Sequence, residues 1–191
     1  MTKNNINIGI VGLGFMAAMH IRAYRQIEGV NVAAICDLDP ERLKGDFTEV
    51  LGNIDSGEPV KLDMSQVKAY QDFNNLLADE SIDAIDICTP TRTHLRMTKP
   101  ALASGKHVIC EKPLARSVAE AQEIAEAAAQ AKGLFMVGMC LRFWPQWAWL
   151  KEAVANGHYG KVQAAHFQRI AEPPAWGQAI YFDGATSGGA L

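Results

Sequence analysis

Gly12-Leu13-Gly14-Phe15-Met16-Ala17 stands between an apolar run, Ile6–Val11, and an amphipathic stretch over residues 15–28. No other feature of the 191-residue chain restricts its fold as much. A strand that turns on glycine directly into a helix brings unpaired backbone N–H groups and the positive end of the helix dipole to one edge of a sheet, a site suited to phosphate. In this pattern Gly12 permits the tight turn, and Gly14 lets a pyrophosphate approach the backbone where Phe15 and Met16 open the helix. Ala17 is small enough for that helix to pack on the strand. The hexapeptide alone also fits a plain tight turn or an S-adenosylmethionine loop, so its context decides. Asp37 ends the second apolar run, Val30–Cys36, about 20 residues beyond the turn, where a carboxylate would hydrogen-bond the adenosine ribose. That carboxylate would also repel the 2′-phosphate of NADP, although Arg42 could soften the effect by pairing with the phosphate. NAD is therefore favoured over NADP.

Short apolar runs alternate with amphipathic stretches along most of the chain, the rhythm of βαβ units on a parallel sheet. Strands are expected at Ile6–Val11, Val30–Cys36, 67–70, 82–88, His107–Cys110 and 134–137. Helices are expected over 15–28, from the Asp39-Pro40-Glu41-Arg42 start signal, and over 73–78 and 93–104 with a kink or restart at Pro100. A further helix follows the capping box Ser117-Val118-Ala119-Glu120 and runs to Gly133. Residues 45–66, punctuated by Gly52, Asn53, Ser56, Gly57 and Pro59, read as a loop or insertion. Six strands and five crossover helices make the fold class α/β, a Rossmann-type doubly wound parallel sheet filling residues 1–138.

Past Gly138 the texture changes, and all four tryptophans (Trp144, Trp147, Trp149, Trp176) lie there. A helix over 145–155 and an alternating strand over 162–170 are expected, followed by a proline- and glycine-bearing stretch without periodicity. Compact domains rarely close on such a stretch, so residues 139–191 read as the incomplete start of a second, α+β domain.

The net charge of −3 and the lack of a basic cluster speak against nucleic acid or an acidic membrane surface as partners. No apolar run reaches the roughly 18 residues of a membrane-spanning helix. The polar start, Met1 to Asn5, leads into a run too short and too interrupted by glycine for a signal peptide, which makes the cytoplasm the expected location. Cys36, Cys88, Cys110 and Cys140 have no CxxC spacing and read as reduced structural thiols, with no metal site expected.

Two stretches carry a more specific signal: I-C-T-P-T-R-T-H from Ile87 to His94, and A-S-G-K-H-V-I-C-E-K-P-L-A from Ala103 to Ala115. M-C-L-R-F-W-P from Met139, G-K-V from Gly160 and S-G-G-A-L from Ser187 continue it. With these the sequence resembles, over essentially its whole length, the Gfo/Idh/MocA family of oxidoreductases, relatives of glucose–fructose oxidoreductase and inositol dehydrogenase. The resemblance implies an NAD(P)-dependent dehydrogenase or reductase acting on a secondary alcohol or ketone of a sugar, cyclitol or related polyol. It implies that Lys112 meets substrate and nicotinamide and hydrogen-bonds the reacting oxygen. Glu111 would lie near the nicotinamide ribose, and Pro113, often in a cis bond in this family, would fix the turn. Thr89, Pro90 and His94 would lie against the cofactor, with Arg142 and Trp144 in a segment facing cofactor and substrate. The resemblance further implies that the chain stops at Leu191 before an aspartate and a histidine that work with the lysine, so that this fragment alone would turn over poorly. The longer protein is expected to form a homo-oligomer. Two alternatives stay open, an NAD-retaining glycoside hydrolase and a non-catalytic sensor of sugars or nucleotides.

Overall fold

The computed structural model describes residues 5–50, 52, 59–168, 170 and 182–184. Its strands are β1 (Ile6–Val11), β2 (Val30–Cys36), β3 (Lys68–Tyr70), β4 (Ala84–Ile87), β5 (His107–Cys110) and β6 (Phe135–Val137). Its helices are α1 (Phe15–Tyr24), α2 (Phe73–Ala78), α3 (His94–Ala103), α4 (Val118–Gln130) and α5 (Pro145–Ala155). The six strands form one sheet in the order β3-β2-β1-β4-β5-β6, and every pairing is parallel. Parallel strands are covered on both faces, which is why β1, β2 and β4 appear in the sequence as near-continuous apolar runs.

Alternation along each strand divides the core in two. Ile8, Ile10, Ile35 and Ala84 face α1 and pack with Ala17, Ala18 and Ile21. Val11, Cys36, Ile85, Ile87 and Val108 face the other way, onto Leu76 of α2 and Ala101 and Leu102 of α3. This is the doubly wound arrangement expected, with one element replaced. Asp39 does accept the backbone N–H of Glu41 at 2.9 Å, as a cap should. Only a 3-10 turn, Arg42–Lys44, follows, and Gly45, left-handed at φ 72°, stops it. Among the described residues, Phe47 and Val60 cover the face that a helix would have covered. Phe47 and Val60 are buried there and bonded through Phe47 N–H to the Val60 carbonyl at 2.9 Å. Described residues of the supposed insertion thus contribute to the core, and among the described residues four α-helices rather than five make the crossovers.

Other boundaries differ for local reasons. α1 ends at Tyr24 because the next inward positions after Ile21 are Arg25 and Glu28, which have nothing apolar to bury. α3 passes Pro100 without a break. At α4 the Ser117 hydroxyl accepts the Glu120 N–H at 3.2 Å, while Glu120 returns to the Arg116 N–H rather than to that of Ser117. The strand expected over 162–170 is not formed by its described residues: residues 161–168 are exposed and join no ladder. A lone strand has no neighbour to satisfy its backbone. Among the described residues no helix is long and apolar enough to cross a membrane.

Candidate functional site

Register lines up the carboxyl ends of the strands. Val11 pairs with Cys36 on one side and Ile87 on the other, and Ile87 pairs with Cys110. The next residue on each strand is therefore Asp37, Gly12, Cys88 or Glu111, set in a row at the roughly 4.8 Å spacing of neighbouring strands. The strand order reverses between β1 and β4, and open α/β sheets bind ligands in the crevice at that point.

Gly12 has φ 85°, and a Cβ there would lie 2.6 Å from Thr89 Cγ2 and 2.9 Å from the Cys88 carbonyl carbon. Both the left-handed backbone and the closeness of the β4 loop require glycine. Gly14 is different. Its backbone is extended, at φ −92° and ψ −162°, and a Cβ on it would meet nothing within 4 Å. Nothing in the chain's own packing asks for glycine at the start of α1. Phe15 and Met16 are half-buried in the first turn, with the Phe15 ring against Gly52, and Ala17 is buried beneath them.

Asp37 has a task that spacing alone does not reveal. Its Oδ2 accepts the Leu13 N–H at 2.7 Å, and its Oδ1 accepts the Asp39 N–H at 3.0 Å. The carboxylate thus ties the end of β2 to the glycine turn, with lone pairs left for further donors. Arg42 stands 3.9 Å from Asp37 and 3.7 Å from Asp39, its charge shared between two carboxylates.

Across the crevice, the Thr89 and Thr93 hydroxyls lie 2.6 Å apart, and Thr93 donates to the Pro90 carbonyl at 2.7 Å. His94 is buried. Its Nε2 lies 2.9 Å from the Thr89 carbonyl, and its Nδ1 lies 2.9 Å from the Pro113 carbonyl and 3.3 Å from that of Leu114. The resemblance implies a place against the cofactor for this ring, and in the structure both of its nitrogens face the chain's own backbone carbonyls. His94 staples the Thr89-Pro90 turn to the turn after β5. In that second turn the Lys112–Pro113 bond is cis and Lys112 is exposed. Glu111 is buried, and its Oε2 accepts the Lys112 N–H at 3.0 Å. Arg142 is exposed in the 3-10 turn Cys140–Phe143 past β6, three strands from β1, and no described contact joins it to this cluster.

Beneath the turn lies a cluster that the sequence reading missed. Asp86 of β4 is fully buried. It accepts from His20 Nδ1 and from the Tyr24 hydroxyl, each at 2.8 Å. His20 Nε2 lies 3.2 Å from Glu111 Oε1, and Cys88 Sγ lies 3.5 Å from His20 Nδ1. Burial works to lower the His20 pKa, but hydrogen bonding to Asp86, Cys88 and Glu111 outweighs it and raises it well above the usual histidine range. Burial, with the Asp86 charge beside it, pushes the Cys88 thiol up to about 12 and the Tyr24 hydroxyl upward as well. Burial likewise takes the Cys110 thiol to about 11, so these sulfurs are poor nucleophiles near neutral pH. His20, Asp86 and Cys88 offer ligand atoms within 4.8 Å of one another, although hydrogen bonds already engage all three. A signal was available: an aspartate inside an apolar strand run needs a partner. His20 and Tyr24, four apart on α1, share the face that could supply it.

A six-stranded parallel sheet in this order, with a glycine turn at its switch point and an acid closing β2, defines a dinucleotide-binding domain of the Rossmann type. The family model described as "Oxidoreductase family, NAD-binding Rossmann fold" matches residues 6–139, and the chain belongs to this Gfo/Idh/MocA family. It is 32% identical to the myo-inositol 2-dehydrogenase of Thermotoga maritima over 82% of its own length and 42% of that protein's. It is 31% identical to an inositol 2-dehydrogenase of Rhodococcus jostii over 93% of its length and 46% of that protein's. Among solved structures, scyllo-inositol dehydrogenase from Lactobacillus casei with bound NAD(H) and scyllo-inositol superposes with a TM-score of 0.68. That match has 26% identity over 82% of this chain and 42% of the other. The chain spans about half the length of the curated relatives it matches.

Proposed function

We propose that this chain is the cofactor-binding part of an NAD-dependent dehydrogenase acting on a secondary alcohol or ketone of a cyclitol, sugar or related polyol. Residues 1–138 would form the cofactor unit, and residues 139–191 the first part of a substrate-side domain. The observation that carries the reading is Gly14, a glycine that neither its own backbone conformation nor its packing requires, at the helix N-terminus facing the switch point. A ligand phosphate brought close to the backbone N–H groups of Phe15 and Met16 gives that glycine a reason. Asp37 lies on one side of this point and Glu111-Lys112 on the other, three strand spacings or about 15 Å apart. An extended dinucleotide would run between them, its adenosine ribose at Asp37 and its nicotinamide toward Lys112. Arg42 already shares its charge with Asp37 and Asp39, which weakens it as a 2′-phosphate receptor and favours NAD over NADP.

When bound, the nicotinamide supplies the hydride chemistry. The Lys112 ammonium would hydrogen-bond the reacting oxygen and stabilise negative charge on it. Glu111 would hold the backbone of that lysine, and Thr89, Pro90 and His94 would shape the wall of the crevice. The named relatives favour a cyclitol as substrate, and the longer protein would work as a homo-oligomer. Two variants test the scheme. Gly14→Val should weaken NADH binding by the chain about 100-fold, since its side chain fills the phosphate approach. Lys112→Met should leave that binding within about twofold yet lower cyclitol oxidation by the full-length enzyme about 10²–10⁴-fold. Unchanged NADH binding in the first variant, or unchanged turnover in the second, would contradict the assignment.

A further inference from the structure

An ionised carboxylate in the middle of a sheet is strongly destabilising unless it is paired and hydrogen-bonded. Asp86 meets that condition through His20, and His20 does not stop there. Its ring has one carboxylate on each side, Asp86 Oδ2 at 2.8 Å from Nδ1 and Glu111 Oε1 at 3.2 Å from Nε2. Ionised carboxylates only accept hydrogen bonds, so two such contacts require both ring nitrogens to donate. The other titratable groups against the ring are the Cys88 thiol and the Tyr24 hydroxyl, whose ring packs edge-on at 6.2 Å. Both are held neutral at ordinary pH by burial.

The bonds continue to the surface. Glu111 Oε2, the oxygen not facing His20, accepts the Lys112 N–H at 3.0 Å. A single line of hydrogen bonds therefore joins Asp86 in the sheet, His20 on α1, Glu111 at the end of β5 and the backbone of Lys112. α1 is also the helix that begins at the glycine turn.

We propose that His20 is a positioning residue for Lys112, an imidazolium clamp between Asp86 and Glu111 that fixes the lysine's turn to the helix bearing the glycine turn. The inference rests on the reading of Lys112 as the group that meets the substrate oxygen. Removing the ring leaves two buried carboxylates without their shared cation, an arrangement that disfavours keeping both ionised. A protonated Glu111 holds the Lys112 N–H less firmly, so the placement of the ammonium becomes pH-dependent.

Two measurements test this. In the wild-type chain, the ring carbon and nitrogen NMR shifts of His20 should stay those of an imidazolium up to about pH 9, where an ordinary histidine is neutral. A neutral ring at about pH 8 overturns the clamp. In the full-length enzyme, His20→Gln should lower kcat for cyclitol oxidation about tenfold or more, with NADH affinity within about threefold. Its rate profile should also gain an ionisation that the wild type lacks. Adding Glu111→Gln should remove that ionisation. A His20→Gln profile that overlies the wild type, or a double variant that keeps the new ionisation, overturns the positioning role. Failure of the underlying reading looks different: Lys112→Met would then leave turnover unchanged, whereas the NMR result on the wild-type chain still decides whether the clamp exists.

Discussion

Residues 6–137 and residues 139–168 are both rich in large apolar side chains, yet only the first stretch buries them. Ile10, Ile35, Ile85 and Ile87 are fully enclosed between the sheet and its helices. Phe143, Trp144, Trp149 and Phe167 are each about half exposed or more, and none of the described residues 139–168 is buried. Hydrophobic content is therefore not what separates the two regions. In the first, the period of two on the strands and the inward stripe of each helix aim apolar groups at a partner element. In the second, Trp147 and Trp149 are two apart on α5 and point to different sides of the helix. They settle for local pairs, Trp147 stacked on Phe167 at 5.6 Å and Trp149 tilted against Tyr159 at 6.1 Å.

The contrast can be broken by truncation. Ile85→Ala removes a fully buried side chain from the middle of the sheet and should lower the stability of the chain by about 2–5 kcal/mol. Trp149→Ala deletes a larger group and should change it by less than about 0.5 kcal/mol. Urea unfolding of both variants gives the comparison. A Trp149 loss as large as that of Ile85 would show that the second region takes part in the same core.

A smaller effect sharpens the picture inside the first region. His20 has a folded pKa raised above the value of about 6.5 it takes when unfolded. The native state therefore holds a proton that the unfolded state releases, and stability must fall as pH rises. The contribution is complete below about pH 6.5 and is lost above it, at up to about 1.4 kcal/mol per pH unit, until the folded pKa is passed. Urea midpoints from pH 6 upward should show this decline in the wild type, while His20→Gln should lack the His20 part of it. Equal slopes would mean that the ring is not charged in the folded chain.

How much of this was legible in the sequence follows from how local each cause is. The strands were readable because strands buried on both faces are apolar throughout, and α4 because its capping box lies within four residues. The missing second helix shows the limit of such signals. Asp39-Pro40 marks where a helix can start, but no inward stripe follows, and the long-range pair Phe47–Val60 fills the space instead. The strand expected over 162–170 had the right alternation but no partner among the described residues, and a ladder is a property of two strands. At the site, Gly12, Asp37 and the E-K-P turn were legible from spacing or resemblance. The task of His94 was not, since its partners Pro113 and Leu114 lie 19 and 20 positions away. His20 and Asp86, 66 positions apart, meet only once β4 is laid beside β1 and α1 crosses over both.

The most direct measurement is a titration of the chain with NADH and, separately, NADPH, followed by tryptophan fluorescence and energy transfer to the reduced nicotinamide. Saturable binding that favours NADH, and that swings toward NADPH in Asp37→Ala, is the expected result. No binding by a chain shown to be folded, or a preference for NADPH that Asp37→Ala leaves unchanged, would contradict the assignment of the glycine turn and Asp37 to the cofactor.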